Sequence, residues 1–167
     1  MSFWTFYICQ DLYNYEDSLQ ILKTVNTVAD IDGLSQHLSL SRYGPSQVNA
    51  GNDYALFRGE LRPTWENYPN GGRWMTSIPK SESHLLDVYW PALMKAVVGG
   101  DFGENEDAIC GMVLTVRDTF NKIGLWTENK HDRGVNLAFG AVMKRIVGGQ
   151  RINFNGLMGR RDWIHQM

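Results

Sequence analysis

The chain has 167 residues, 43% of them hydrophobic and 20% charged, which is ordinary globular usage and excludes wholesale disorder. No apolar run approaches the ~20 residues of a membrane helix, no basic stretch leads into an apolar one at the N-terminus, and Cys9 and Cys110 alone cannot form a disulfide framework or a four-thiolate zinc site. The expectation is one domain in a reducing, intracellular compartment. The net charge of −2 speaks against a bulk grip on long nucleic acid, yet residues 1–32 carry one base against five acids and residues 141–167 five bases against one acid.

In chain order, Trp4 to Gln10 alternates large and small residues and predicts a strand. Leu19, Ile21 and Val25 predict a second strand with one buried face. Thr27 and Asp30 have the spacing of a capping box and open a helix through Ile31 and Leu34 to about Leu38. Residues 41–53, rich in Gly, Ser and Asn, read as a loop, and Tyr54 to Phe57 as a short strand. Glu60 to Gly72 holds two prolines and a Gly-Gly pair and reads as a loop or turn, followed by a strand from Arg73 to Ile78. Leu85, Leu86, Tyr89, Leu93, Ala96 and Val97 define a helix over 81–98, stopped by Gly99-Gly100, in which Pro91 should cause a kink or a restart. Ala108 to Val116 and Ile123 to Thr127 form a hairpin-like pair of strands. Val135, Phe139, Val142 and Ile146 mark a third helix, and Arg151 to Phe154 a last strand. Many strands without regular βαβ alternation indicate an α+β domain with a largely antiparallel sheet.

The familiar enzyme signatures are absent: no phosphate loop ending in Gly-Lys-Ser/Thr, no dinucleotide fingerprint, no His-Glu-x-x-His and no Gly-x-Ser-x-Gly elbow. His37, His84, His131 and His165 lie far apart without ligand-spaced neighbours. A binding role without catalytic residue, metal or cofactor is the leading class. The excess is aromatic, 12% with six Trp and seven Tyr, and suggests a surface on which something flat stacks.

The segments Trp4-Thr5-Phe6-Tyr7, Asp53-Tyr54-Ala55-Leu56-Phe57, Pro63-Thr64-Trp65-Glu66, Gly71-Gly72-Arg73-Trp74, Cys110-Gly111 to Val116-Arg117, and Lys122-Ile123-Gly124-Leu125-Trp126-Thr127 together resemble the eukaryotic translation initiation factor 4E family, which binds the 5′ cap of mRNA. The resemblance is strongest over 4–148; residues 149–167 diverge. It implies a single cap-binding domain over 1–167, built as a curved, largely antiparallel sheet with three helices on its convex face, cytoplasmic, monomeric, not an enzyme and not at a membrane.

The chemistry of that ligand suits these residue types. A 7-methylguanine base is flat and cationic, so two aromatic rings can sandwich it with cation–π attraction added to stacking. Its Watson–Crick edge offers two N–H donors to one carboxylate, a strong charge-assisted pair, and the triphosphate calls for guanidinium or ammonium groups. By resemblance, Trp65 is one sandwich ring, Glu66 the guanine-edge carboxylate, Trp126 the contact to the N7-methyl group, Arg117 and Lys122 the phosphate contacts, and Arg73 a supporting base. The other ring falls on Tyr15, a departure from the family's tryptophan, with Tyr13 as the rival. Thr119 stands where the family has a further basic residue. Arg160 and Arg161 fall where the family covers the nucleotides after the cap. Trp4, Trp74 and Trp90 read as core. The family's partner surface, which holds a helical peptide of a scaffold or repressor, keeps Val28 but has Asp32 and Pro91 in place of Trp and Leu anchors, so an altered docking mode is expected. The function implied is cap binding in translation initiation or its repression. The alternative is a relative with weakened or lost cap binding that serves as an interaction scaffold; cap cleavage is disfavoured because no acidic metal-binding array is visible.

Overall fold

Period-two alternation along the central strands divides this chain into two faces. In a computed structural model describing residues 2–11, 13–158 and 165–167, β1 (Trp4–Cys9), β2 (Leu19–Val25), β3 (Asp53–Arg58), β4 (Gly72–Pro79), β5 (Ile109–Val116), β6 (Phe120–Thr127), β7 (Asn153–Gly156) and β8 (His165–Gln166) form one sheet in the order β2-β1-β3-β5-β6-β4-β7-β8. Every pairing is antiparallel. On one face, Phe6, Tyr54, Leu56, Trp74, Met112, Leu114, Ile123 and Leu125 join the main core. Three helices cover it: α2 (Val28–Leu40), α3 (Leu86–Gly99) and α4 (Arg133–Ile146) contribute Ile31, Leu34 and Leu38, then Leu86, Trp90 and Leu93, then Phe139 and Met143. The expected α+β fold, a curved sheet with helices on its convex side, is present. A one-turn helix, α1 (Tyr15–Ser18), adds to the three long ones.

Local chemistry sets the helix ends. The Thr27 hydroxyl accepts from Asp30 N at 3.2 Å while the Asp30 carboxylate accepts from Asn26 N and Thr27 N, at 2.8 and 2.9 Å, completing the predicted capping box. Those backbone donors hold the Asp30 carboxyl below its usual range. Gly100, at φ 83°, ends α3 in the left-handed conformation that glycine adopts freely.

Three expectations need correction. First, β2 has no buried face: it is an edge strand in which Ile21 and Leu22 are exposed, Val25 reaches the main core and Leu19 is half-buried against the aromatic cluster around Trp126. Second, α3 runs unbroken through Pro91, and the change of geometry falls earlier, where a 3₁₀ turn over Lys80–Leu85 hands over to α-helix at Leu86. Third, the last predicted strand is shifted two residues on, because β7 aligns Phe154 with Trp74 and Gly156 with Gly72 of β4. Within the predicted loop or turn over 60–72, Trp65 to Asn67 form a 3₁₀ turn.

Trp4, Trp74 and Trp90 are buried as expected. The Trp74 indole donates to the Asn136 carbonyl at 2.7 Å and lies against Gly140 of α4, where a Cβ would meet Trp74 Cζ2 at 2.5 Å. Gly140 is therefore what lets α4 approach the sheet. Gly140→Ala should destabilise the fold by about 1–3 kcal/mol through overpacking, read as a lower midpoint in urea denaturation with an unchanged slope.

Candidate functional site

The face without helices carries the site. Strand register sets its floor as three rows running across the sheet. One row aligns Asp53, Thr115, Lys122 and Ser77; the next Ala55, Val113, Gly124 and Met75; the third Phe57, Gly111, Trp126, Arg73 and Asn155. Small residues in the middle row leave room above the sheet, while aromatic and charged residues flank it. The result is a cleft of about 500 Å³.

Trp126 is buried to 6% exposure and gripped edge-on by Phe57 and Tyr68, with ring centroids 5.3 and 5.8 Å away and both interplanar angles 84°. The Phe57 ring reaches that position by lying over Gly111, where a Cβ would stand 2.5 Å from it. The loop between β3 and β4 is tied down by two phenols: Tyr7 Oη donates to the Leu61 carbonyl at 3.0 Å and Tyr68 Oη to the Arg62 carbonyl at 2.8 Å. Its 3₁₀ turn holds out Trp65, which remains 48% exposed although the loop around it is anchored, and Glu66 is exposed beside it. A tryptophan left exposed on an anchored turn at a cleft rim offers a flat apolar face to the cleft.

Across the cleft stands α1. Tyr15 lines the cleft, whereas Tyr13 points fully into solvent, with its N–H and that of Asn14 bound to the Asp11 carboxylate. The two walls are linked, because Arg62 Nη2 donates to the Glu16 carbonyl at 3.2 Å. Burial, with a smaller contribution from the Asp53 carboxylate, pushes the Tyr15 phenol well above its ordinary value of 10.0.

Three cations line the cleft. Lys122 Nζ sits 4.7 Å from the centroid of the Phe120 ring. Arg73 Nε donates to Asn155 Oδ1 at 3.3 Å, and burial draws the guanidinium below its usual range, though it stays charged. Arg117 Nη1 donates to Asp53 Oδ1 at 2.8 Å and to its neighbour's Val116 carbonyl at 2.9 Å. Asp53 is 7% exposed; burial pushes its carboxyl up while Arg117 pulls it back.

Tyr15, Trp65, Glu66, Trp126, Arg73, Arg117 and Lys122, chosen from sequence, thus converge on one cleft. Thr119 is exposed in the β5–β6 turn. Arg160 and Arg161 lie outside the described residues. Sequence reasoning missed Asp53 and Phe57 as parts of the site; the alternation of Asp53, Ala55 and Phe57 against core-facing Tyr54 and Leu56 carries the signal. Among the described residues, no group of three or more His, Cys, Asp or Glu side chains is arranged to hold a metal ion, and no helix is long and apolar enough to cross a membrane.

The model of the eukaryotic initiation factor 4E family matches residues 1–157. The chain belongs to that family. Among its relatives, eukaryotic translation initiation factor 4E-1 of Caenorhabditis elegans is 36% identical over 146 residues, covering 84% of this chain and 67% of that one. Across the nematode and human 4E relatives the chain spans 53% to 71% of their length. Of solved 4E structures, Ascaris suum eIF4E-3 in complex with an m2,2,7G cap superposes with a TM-score of 0.85 at 28% identity, covering 98% of this chain and 93% of that one. C. elegans eIF4E-3 in complex with the 4E-binding protein Mextli and a cap analog superposes at 0.81 with 31% identity, covering 93% and 90%.

The chain should show an alkaline signature. Tyr15 and Tyr68 beside the cleft and Tyr54 in the core all carry phenols raised above 10.0, chiefly by burial. The unfolded chain therefore ionises first, so the contribution is complete below about pH 10 and is lost as pH rises toward the folded values. Phenolate absorbance should lag that of free tyrosine and appear together with loss of circular dichroism, and Tyr15→Phe should make that loss shallower.

Proposed function

We propose that this chain binds the 7-methylguanosine 5′ cap of mRNA in the cleft between α1 and the β3–β4 loop, and acts in the cytoplasm in translation initiation or its repression. One observation carries the reading: an exposed Trp65, with Glu66 next to it, stands over a cleft that also holds Tyr15 and the buried edge of Trp126. The cationic base enters between Trp65 and Tyr15, Glu66 accepts from its Watson–Crick edge, and Trp126 meets the N7-methyl group. Arg117, Lys122 and Arg73 take the triphosphate. Nothing in this scheme makes or breaks a covalent bond, so the role is binding.

Methylation creates the positive charge that both rings and Glu66 reward, so 7-methyl-GTP should quench tryptophan emission at much lower concentration than GTP. Equal affinities would remove the assignment. Glu66→Ala should cost about 1.5–3 kcal/mol, as for hydrogen bonds to a charged group. Tyr15→Trp should tighten binding through a larger π-face, while Tyr13→Ala, at a side chain outside the cleft, should leave it unchanged.

The helical face supports an altered partner mode. Val28 is partly exposed, but Asp32 of α2 forms an ion pair with Lys95 of α3, and Pro91 stands one turn before Lys95. Lys95 of the chain already meets the Asp32 carboxylate, so a partner need bring no base to it. Peptides that anchor through apolar side chains should bind this face weakly, since such anchors carry ~2 kcal/mol or more each. Asp32→Trp alone strands Lys95; the triple change Asp32→Trp, Lys95→Leu and Pro91→Leu should restore binding of a Tyr-x-x-x-x-Leu-Φ peptide in calorimetry. Submicromolar binding by the unaltered chain would overturn the altered mode.

A further inference from the structure

Within the cap-binding reading, the cleft's three cations are not equivalent. Lys122 rests on an aromatic ring and Arg73 on a neutral carboxamide. Among the described residues, Arg117 is the one cleft cation held in an ion pair, and its partner, Asp53, is an acid buried in the cleft floor. The other two cleft acids, Glu16 and Glu66, are exposed at the rim, where solvent screens them. An uncompensated buried carboxylate is costly, so Asp53 and Arg117 must be treated as one unit.

That unit divides the guanidinium's labour. Nη1 is occupied by the Asp53 carboxylate and the Val116 carbonyl, whereas Nε and Nη2 make no hydrogen bond among the described residues. The pairing fixes the plane of the guanidinium and cancels most of its long-range charge. An incoming phosphate therefore meets a well-directed donor but a weak electrostatic pull. Backbone support from Val116 does not depend on Asp53, and an asparagine at position 53 keeps an oxygen for Nη1. Orientation and charge can thus be separated experimentally.

We infer that Asp53 is a specificity-determining residue of the cleft: by neutralising Arg117 it holds down the phosphate contribution to binding, so that recognition rests on the base and not on any nucleoside triphosphate. The inference depends on the cap-binding reading, in which Arg117 serves the phosphates. In that role an acid buried in a cleft that receives an anion has a physical reason: it tempers the guanidinium beside it.

The test compares Asp53→Asn with the unaltered chain for three probes: 7-methyl-GTP, GTP and the 7-methylguanosine nucleoside. Asp53→Asn should bind both triphosphates roughly fivefold more tightly, the upper end for one partly screened charge, with a smaller change for the nucleoside. The weakening of triphosphate binding with added salt should become steeper in Asp53→Asn, since one more uncompensated cation is then open to screening. If Asp53→Asn instead weakens triphosphate binding and spares the nucleoside, Asp53 orients Arg117 and the inference is overturned; an equal change for all three probes overturns it as well. Failure of the unaltered chain to prefer 7-methyl-GTP over GTP is a separate result, which removes the cap reading while the two triphosphates still report on Asp53. Should Asp53→Asn not fold, judged by circular dichroism, Arg117→Gln and Lys122→Gln decide the matter. Loss of Arg117 leaves Asp53 unpaired in the cleft and should cost more triphosphate affinity than loss of Lys122, and an equal or smaller cost refutes the role.

Discussion

Successive residues of a strand point to opposite faces of its sheet, and in this chain that constraint separates what holds the fold from what forms the site. In β3, Tyr54 and Leu56 feed the core beneath the helices while Asp53, Ala55 and Phe57 face the cleft. In β6, Ile123 and Leu125 go one way, Lys122, Gly124 and Trp126 the other. A one-residue slip in either register would exchange the two sets, burying charge under the helices and exposing the core. The helical face is thus a clamp on register as much as a hydrophobic core. The cleft takes its geometry from it.

Rigidity in the cleft is distributed unevenly, and the distribution follows from what each residue touches. Trp126 is fixed by two edge-on aromatic contacts, one of them made possible by Gly111. The loop bearing Trp65 is anchored by Tyr7 and Tyr68, which donate to successive backbone carbonyls. Tyr15 belongs to a single helical turn with no buried residue of its own, steadied by contacts of Cys9 and Ser18. A base stacked here meets one wall held by a hydrogen-bonded loop and another held by a short, polar turn.

Much of this was legible in the residues, for identifiable reasons. The capping box at Thr27 and Asp30, the Gly99-Gly100 stop and the alternating strands announce themselves because they are local. The seven cleft residues could be named from short segments in order, since each segment sits on one element and the elements keep their order. What was not legible depends on tertiary neighbours. That β2 lies at a sheet edge, and so leaves Ile21 and Leu22 in water, is a fact about strand order. The ion pair of Asp32 with Lys95 joins two helices far apart in sequence, and that of Asp53 with Arg117 spans 64 positions. Pro91 does not interrupt α3 because that helix is packed along Leu86, Trp90, Leu93 and Met94, and tertiary burial offsets the hydrogen bond the proline lacks.

The strand order also bears on how the cleft comes into being. β5 and β6 are joined by only residues 117–119 and pair along nearly their whole length, so closing that hairpin sacrifices little chain entropy. Arg117, Lys122 and Trp126 ride on it or on its turn. β4, which brings Arg73, pairs with β6 across an intervening helix, and β3 meets β5 only after a stretch of some fifty residues has been closed. Half of the cleft is therefore assembled by the cheapest contact in the sheet, and the half that carries Trp65 and Glu66 must await pairings between strands much farther apart in the chain. Any lesion that slows the long-range pairings would leave a chain whose β5–β6 hairpin is formed before the wall that bears Trp65.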